Sequence, residues 1–67
     1  MKKPAEIVIE IFGGVRATAR ALQITPGAVS RWQGDGEVPG RHHRKLLSLA
    51  ARRKKPLTPT DLVLGRD

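Results

Sequence analysis

Apolar residues recur at helical spacing along most of the chain, and proline and glycine cut that pattern into short blocks. In the first block, Pro4–Phe12, Ile7, Ile9 and Ile11 alternate as in a strand, but Ile7/Ile11 and Val8/Phe12 are also i, i+4 pairs. Pro4 near the start and Glu6 in the first turn decide for a helix, because a fixed φ and an early negative charge both suit a helix N-terminus. Gly13-Gly14 ends it. In the second block, Val15–Leu22, Val15, Ala19 and Leu22 share one face and Arg16 and Arg20 another, while three alanines keep the helix slim. The third opens at Thr25-Pro26-Gly27, with threonine as N-cap and proline at the first helical position. It carries Ala28, Val29 and Trp32 before Gly34-Asp35-Gly36 stops it. The fourth follows Val38-Pro39-Gly40 and runs from about Arg41 to Arg53, with Leu46, Leu47, Leu49 and Ala50 on its apolar side. Arg52-Arg53-Lys54-Lys55 closes it where the helix dipole favours positive charge. In the tail, Thr58-Pro59-Thr60-Asp61 repeats the cap, proline and acid order and starts one short turn with Leu62 and Val63, beside which Leu57 packs.

The second and third helices are separated by only Gln23-Ile24. Two short helices joined by so tight a turn form a helix-turn-helix, whose second helix enters the major groove of DNA. Ala19 is small where the two helices cross. Leu22, Ile24, Val29 and Trp32 form the apolar wedge that fixes the crossing angle. A lone tryptophan at helical spacing from Val29 reads as core rather than as a base-stacking platform.

Composition narrows the partner. The 67 residues make one domain, 1–67, with the helix-turn-helix at about 15–34, a basic fourth helix at about 41–53 and a tail at 56–67. A domain of this size buries only about 60% of the surface its unfolded chain exposes, so the core is thin. Thirteen Lys and Arg face six Asp and Glu, a formal net charge of +7, which predicts a polyanionic partner. A membrane surface would need a broad apolar helix face opposite a basic one, whereas the apolar residues here are committed to the core. The longest apolar stretch, Ile7–Phe12, is broken by Glu10 and too short to span a bilayer, and no signal peptide is read. Phe12 and Trp32 are the only aromatics, too few for the stacking platform that single strands need, so the reading is duplex DNA. The lack of cysteine removes disulfides and thiolate metal sites and points to a reducing compartment; with a DNA partner, the expected location is cytoplasmic and nucleoid-associated. His42-His43 are adjacent, point different ways on a helix and have no third ligand, so no metal and no cofactor is expected. One imidazole is expected to pack and the other to face solvent. Ser30 and Ser48 have no activating context, the acids form no pair and there is no phosphate-cradling loop, so no enzyme is read.

The recognition helix, about 26–33, is expected to expose Pro26, Gly27, Ser30, Arg31 and Gln33. Pro26, Gly27, Ser30 and Arg31 are the candidate base contacts. The planar fork of Arg31 matches O6 and N7 of guanine, or else rests on phosphate alone. Ser30 bonds a base edge or a phosphate. Gly27 either lets the helix end sit close to DNA or is an ordinary cap-region glycine. Candidate phosphate contacts are Arg16, Arg20, Thr25, Gln33, Arg41, His42, Arg44 and Lys45. Thr25 caps the helix and faces a phosphate from its N-terminus. Arg20 equally suits an ion pair with Glu6 or Glu10. Arg41 and His42 open the fourth helix towards the backbone, and Arg44 and Lys45 extend the same basic face. Arg52–Lys55 is a solvated helix end or reaches a neighbouring phosphate.

The run Val15-Arg16-Ala17-Thr18-Ala19-Arg20-Ala21-Leu22-Gln23-Ile24-Thr25-Pro26-Gly27-Ala28-Val29-Ser30-Arg31-Trp32 resembles the helix-turn-helix of Cro-like phage regulators. It is especially similar to the small Cro/YdaS-type DNA-binding proteins of bacteria and prophages. Glu37–His43 and Leu57–Val63 also look like that group. The resemblance implies an all-α, lambda-repressor-like or Cro-like bundle of four to five short helices and a sequence-specific, double-stranded DNA-binding transcriptional regulator such as a repressor. That family usually places glycine in the turn where this chain has Gln23, a position that commonly adopts a left-handed backbone. A small monomer buries little surface on DNA, so a homodimer is expected, with Leu57–Val63 as its candidate interface. The competing reading is a protein-interaction module, an antitoxin masking a toxin or a subunit recruiting polymerase, whose DNA binding is secondary.

Overall fold

A computed structural model describes residues 1–66; Asp67, the last residue of the expected tail, lies outside them. The chain folds as the expected all-α bundle, with α1 at Pro4–Phe12, α2 at Val15–Leu22, α3 at Pro26–Asp35, a 3-10 turn at Gly40–His42, α4 at His43–Arg52 and α5 at Pro59–Val63. Two boundaries move. α3 continues to Asp35, because glycine at 34 is tolerated inside a helix and the chain leaves it only at Gly36, where φ is +81°. The fourth helix begins as the 3-10 turn after Pro39 and becomes α-helical at His43.

The helix ends follow from local chemistry. Thr25 Oγ1 accepts from the Ala28 N–H at 3.2 Å, with Pro26 at the first helical position. At the end of α2 the Ile24 N–H donates to Ala19 O at 3.0 Å and the Gln23 N–H to Arg20 O at 3.2 Å. This is a Schellman motif, and it puts Gln23 at φ 59°, ψ 43°. The left-handed turn expected there is therefore present, on a residue with a Cβ. α1 ends the same way on Gly13, and α4 on Lys54 at φ 55°.

One contiguous apolar cluster joins all five helices: Ala5, Val8 and Phe12, Ala19 and Leu22, Val29 and Trp32, Val38, Leu46 and Ala50, and Leu62. Ile24 packs against it from the turn, as expected, and Leu57 from the tail. Val15 is half-buried. Thr18 is wholly buried, its hydroxyl donating to Gly14 O at 2.8 Å; a polar residue at this position hides a core contact from the hydrophobic pattern. Gly36 joins α3 to α1: its carbonyl accepts from the Ala5 N–H at 3.2 Å, and a Cβ there would collide with the Lys3 side chain.

The chain ends form a clasp. Lys2 and Arg66 pair as an isolated antiparallel bridge. Thr58 and Asp61 make a reciprocal capping box, at 3.2 Å and 3.1 Å. Arg66 donates to both oxygens of the buried Asp61, at 3.2 Å and 2.6 Å, and to Pro56 O at 3.0 Å. Lys2 Nζ donates to Glu10 Oε2 at 2.7 Å. Glu10 is thus taken by Lys2, and neither it nor Glu6 forms the ion pair considered for Arg20. Among the described residues no helix is long and apolar enough to cross a membrane.

Candidate nucleic-acid interface

The outward surface of α3 follows from helical geometry. At about 100° per residue, Val29 and Trp32 turn inward, and both are buried. The opposite line runs through Gly27, Ser30 and Gly34, all exposed. Arg31 and Asp35 flank that line on the side of the 3-10 turn, and Pro26 and Gln33 flank it on the side of α2, all four exposed. The middle of the surface is therefore two glycines and a serine, a smooth strip with side-chain reach on both margins. A Cβ at Gly34 would meet nothing within the protein. Gly34 is a member of this surface that the sequence reading did not include; its spacing of seven residues from Gly27, two helical turns, was the available signal.

Two shallow grooves border α3. One, of about 360 Å³, lies against α2 and is lined by Arg16, Ala19, Arg20, Ile24 and Pro26. It brings two of the phosphate candidates beside the helix N-terminus, where Thr25 is exposed as the cap. The other, of about 390 Å³, lies against the 3-10 turn, with Arg31 and Asp35 on one wall, Glu37 and Arg41 on the other, and Trp32, Val38 and Pro39 beneath. Arg31 and Arg41 are thus brought together, along with two carboxylates that the sequence reading left unassigned. Neither Asp35 nor Glu37 forms an ion pair among the described residues.

The two histidines depart from expectation. Both are half-buried and both are engaged. The His42 ring lies 5.2 Å from the Trp32 ring between centroids, tilted by 42°. Burial against the indole, followed by the positive charge of Arg41, Lys45 and His43, holds its pKa below the ordinary imidazole value. At neutral pH this ring is uncharged and braces the back of α3. His43 is held differently: its Nε2 lies 2.9 Å from Val38 O and ties α4 to the loop after α3. Neither imidazole faces solvent freely, because His42 packs on Trp32 and His43 is held to Val38 O.

Lys45 reaches Leu22 O at 3.5 Å, at the C-terminal end of α2. Arg44 stands on the outward face of α4 with Ser48 and Arg52 and lines neither groove. At the far end of α4, Arg53 lies 5.1 Å over the Phe12 ring, so part of the Arg52–Lys55 run is anchored on the core edge. Among the described residues no cluster of His, Cys, Asp or Glu fits a metal ion, and no buried side-chain polar atom lacks a partner.

Residues 3–45, more than half of the chain, match the family model described as DNA-binding transcriptional regulator Cro. The match takes in α1 to α3, the 3-10 turn and the first residues of α4. No curated protein and no solved structure matches the chain.

Proposed function

We propose, from the premise that the chain belongs to the Cro family of DNA-binding transcriptional regulators, that it reads duplex DNA by laying the outer strip of α3 in the major groove. The observation that carries this reading is the two-sidedness of α3. Val29 and Trp32 clamp the inner face, while Gly27, Ser30, Gly34 and Arg31 stand bare on the other. The major groove admits an α-helix, and a glycine strip lets the backbone approach its floor. Arg31 offers two parallel N–H donors to O6 and N7 of a guanine, with Ser30, Gly27 and Pro26 beside it.

The flanking cations neutralise phosphates. Arg16, Arg20, Thr25 and Gln33 serve one strand from the α2 side, and Arg41, Arg44 and Lys45 serve the other from the α4 side. His42, expected as a phosphate contact, acts better as the brace that aims Arg41, since its ring is committed to Trp32. The longest dimension of the fold is 26 Å, shorter than the roughly 34–36 Å between successive half-sites, so one copy covers one half-site. A homodimer covers two. The exposed Val63 and Leu64 at the end of α5 supply apolar surface for its contact.

Selection of bound sequences from a random duplex library, followed by anisotropy titrations across salt, tests this reading. Log affinity should fall linearly with log salt. Arg31→Ala should lose about 1–3 kcal/mol of preference at one or two base pairs. Arg16→Ala should weaken all duplexes alike and make the salt slope shallower. If Arg31→Ala leaves the advantage of the selected site unchanged, base reading by Arg31 is wrong.

A further inference from the structure

We infer that Asp35 is a specificity-determining positioning residue, whose carboxylate one turn beyond Arg31 steers that guanidinium away from phosphates and towards base edges. The inference rests on the groove-reading role of α3 proposed above.

Asp35 is placed where helix stability argues against it. It is the last residue of α3, a helix with no basic residue in its last turn. The C-terminal end of a helix carries partial negative charge, so a carboxylate there is unfavourable. Among the described residues no cation within ion-pair distance offsets it. In a chain with a net charge of +7, that is an anomaly on the helix proposed to enter the groove.

Its position explains it. Residues 31 and 35 are i, i+4 neighbours, with Cβ atoms about 5–6 Å apart on one helix face. Both line the groove between α3 and the 3-10 turn. A guanidinium has five N–H donors in a planar fork, so one edge can bond a carboxylate while another presents two donors to a guanine. In the free protein both side chains stand in water and no ion pair forms between them. When α3 enters a groove and water leaves, the attraction between them strengthens. The same carboxylate repels phosphate oxygens, which are the main competitors for Arg31. Glu37 also rims the groove, but it lies beyond the left-handed Gly36 and has no helical register with Arg31. Asp35 thus trades general affinity for discrimination.

The test measures anisotropy with the full chain on two probes, the best duplex from library selection and a random duplex pool, for wild type, Asp35→Asn, Arg31→Ala and the double variant. Asp35→Asn should bind the random pool more tightly and lose on the order of tenfold in preference for the selected duplex. The loss should fall at the same base pair that Arg31→Ala affects, and the double variant should be no less selective than Arg31→Ala alone. Thermal unfolding of Asp35→Asn should be unchanged or occur at higher temperature, which a purely structural role would not give. If Arg31→Ala abolishes the preference while Asp35→Asn leaves it intact, or if the two losses simply add, the inference falls and the groove reading stands. If Arg31→Ala leaves the preference intact, the groove reading falls and this inference with it.

Discussion

The clasp that joins the chain ends and the outer surface of α3 are built by opposite rules. In the clasp, Thr58 and Asp61 cap each other, Arg66 grips both oxygens of a buried carboxylate, and Lys2 pairs with Glu10. Each polar group has its partner inside the chain. On α3 and the turn before it, two glycines sit within a ten-residue helix, Gln23 holds a left-handed backbone, and Arg31 and Asp35 have no ion-pair partner among the described residues. Such local departures from the most stable choice gather where a surface serves something other than folding. The difference teaches where to look for the partner: on the side of the molecule whose chemistry is incomplete without one.

The largest expected effect comes from breaking the complete side. Asp61→Ala removes half of the capping box and both carboxylate oxygens that Arg66 grips, leaving Arg66 only Pro56 O, and a lost cap of this kind is worth about 1–2 kcal/mol. The urea midpoint should drop accordingly, while the preference for a selected duplex over random DNA, measured below the new midpoint, stays as in wild type. A loss of preference alongside the loss of stability would show that the clasp also shapes α3.

The next variant repairs the incomplete side. Gly34→Ala should stabilise the fold by about 0.5–1 kcal/mol, because a Cβ there meets nothing and helical glycine is entropically unfavourable. The same methyl group stands in the strip proposed to approach the groove floor, so duplex affinity should fall on the order of tenfold. Stability and binding moving in opposite directions is the signature sought. A more stable variant that binds as well as wild type would mean that Gly34 lies outside the contact.

The Schellman ends sharpen the comparison further. Gly13, Gln23 and Lys54 occupy equivalent left-handed positions after α1, α2 and α4. A residue with a Cβ is strained there by roughly 1–2 kcal/mol, partly offset by the extra chain entropy that glycine loses on folding. Gln23→Gly should therefore raise stability by about 0.5–1 kcal/mol, with the gain visible in a denaturant midpoint. Gly13→Ala should move it the other way. A lowered midpoint for Gln23→Gly would mean that the glutamine side chain stabilises the turn by a contact of its own.

Much of this was legible in the sequence, and the reason is local. Pro4, Pro26 and Pro59 near helix starts, Thr25 and Thr58 as caps, and Gly13 and Gly36 at helix ends act within a turn of themselves, so they are read without knowing the fold. The apolar wedge of Leu22, Ile24, Val29 and Trp32 was equally plain from spacing. What was hidden depends on tertiary position. Thr18 reads as polar yet lies in the core, because Gly14 O satisfies its hydroxyl. The engagement of both histidines depends on how the 3-10 turn folds over Trp32. The grouping of Arg31, Asp35, Glu37 and Arg41 around one groove needs Gly36 to turn the chain back, which no periodicity announces.

The smallest expected effect separates the two regions by pH. His42, behind α3, is held below the ordinary imidazole value by its burial and then by the neighbouring Arg41, Lys45 and His43. The unfolded chain therefore takes up that proton first. The stability contributed by the neutral ring is complete above about pH 6.5 and is lost as pH falls from there through the lowered folded value. Asp61 in the clasp is also held below its ordinary value, chiefly by its bonds from Arg66, with burial opposing and the Thr58 N–H adding to the effect. Its contribution is complete above about pH 4 and is lost as pH falls through the folded value, a lower window that Glu10 shares because Lys2 bonds to it. Urea midpoints followed from about pH 8 to about pH 3 should therefore descend twice, shallowly in mild acid and again near the carboxylate range. His42→Gln should flatten the upper descent and leave the lower one, and Asp61→Asn should do the reverse, whatever either substitution does to the plateau. An upper descent that survives His42→Gln would assign mild-acid sensitivity to some group other than the imidazole against Trp32, and the division of the molecule into a part that yields in mild acid and a part that does not would fail.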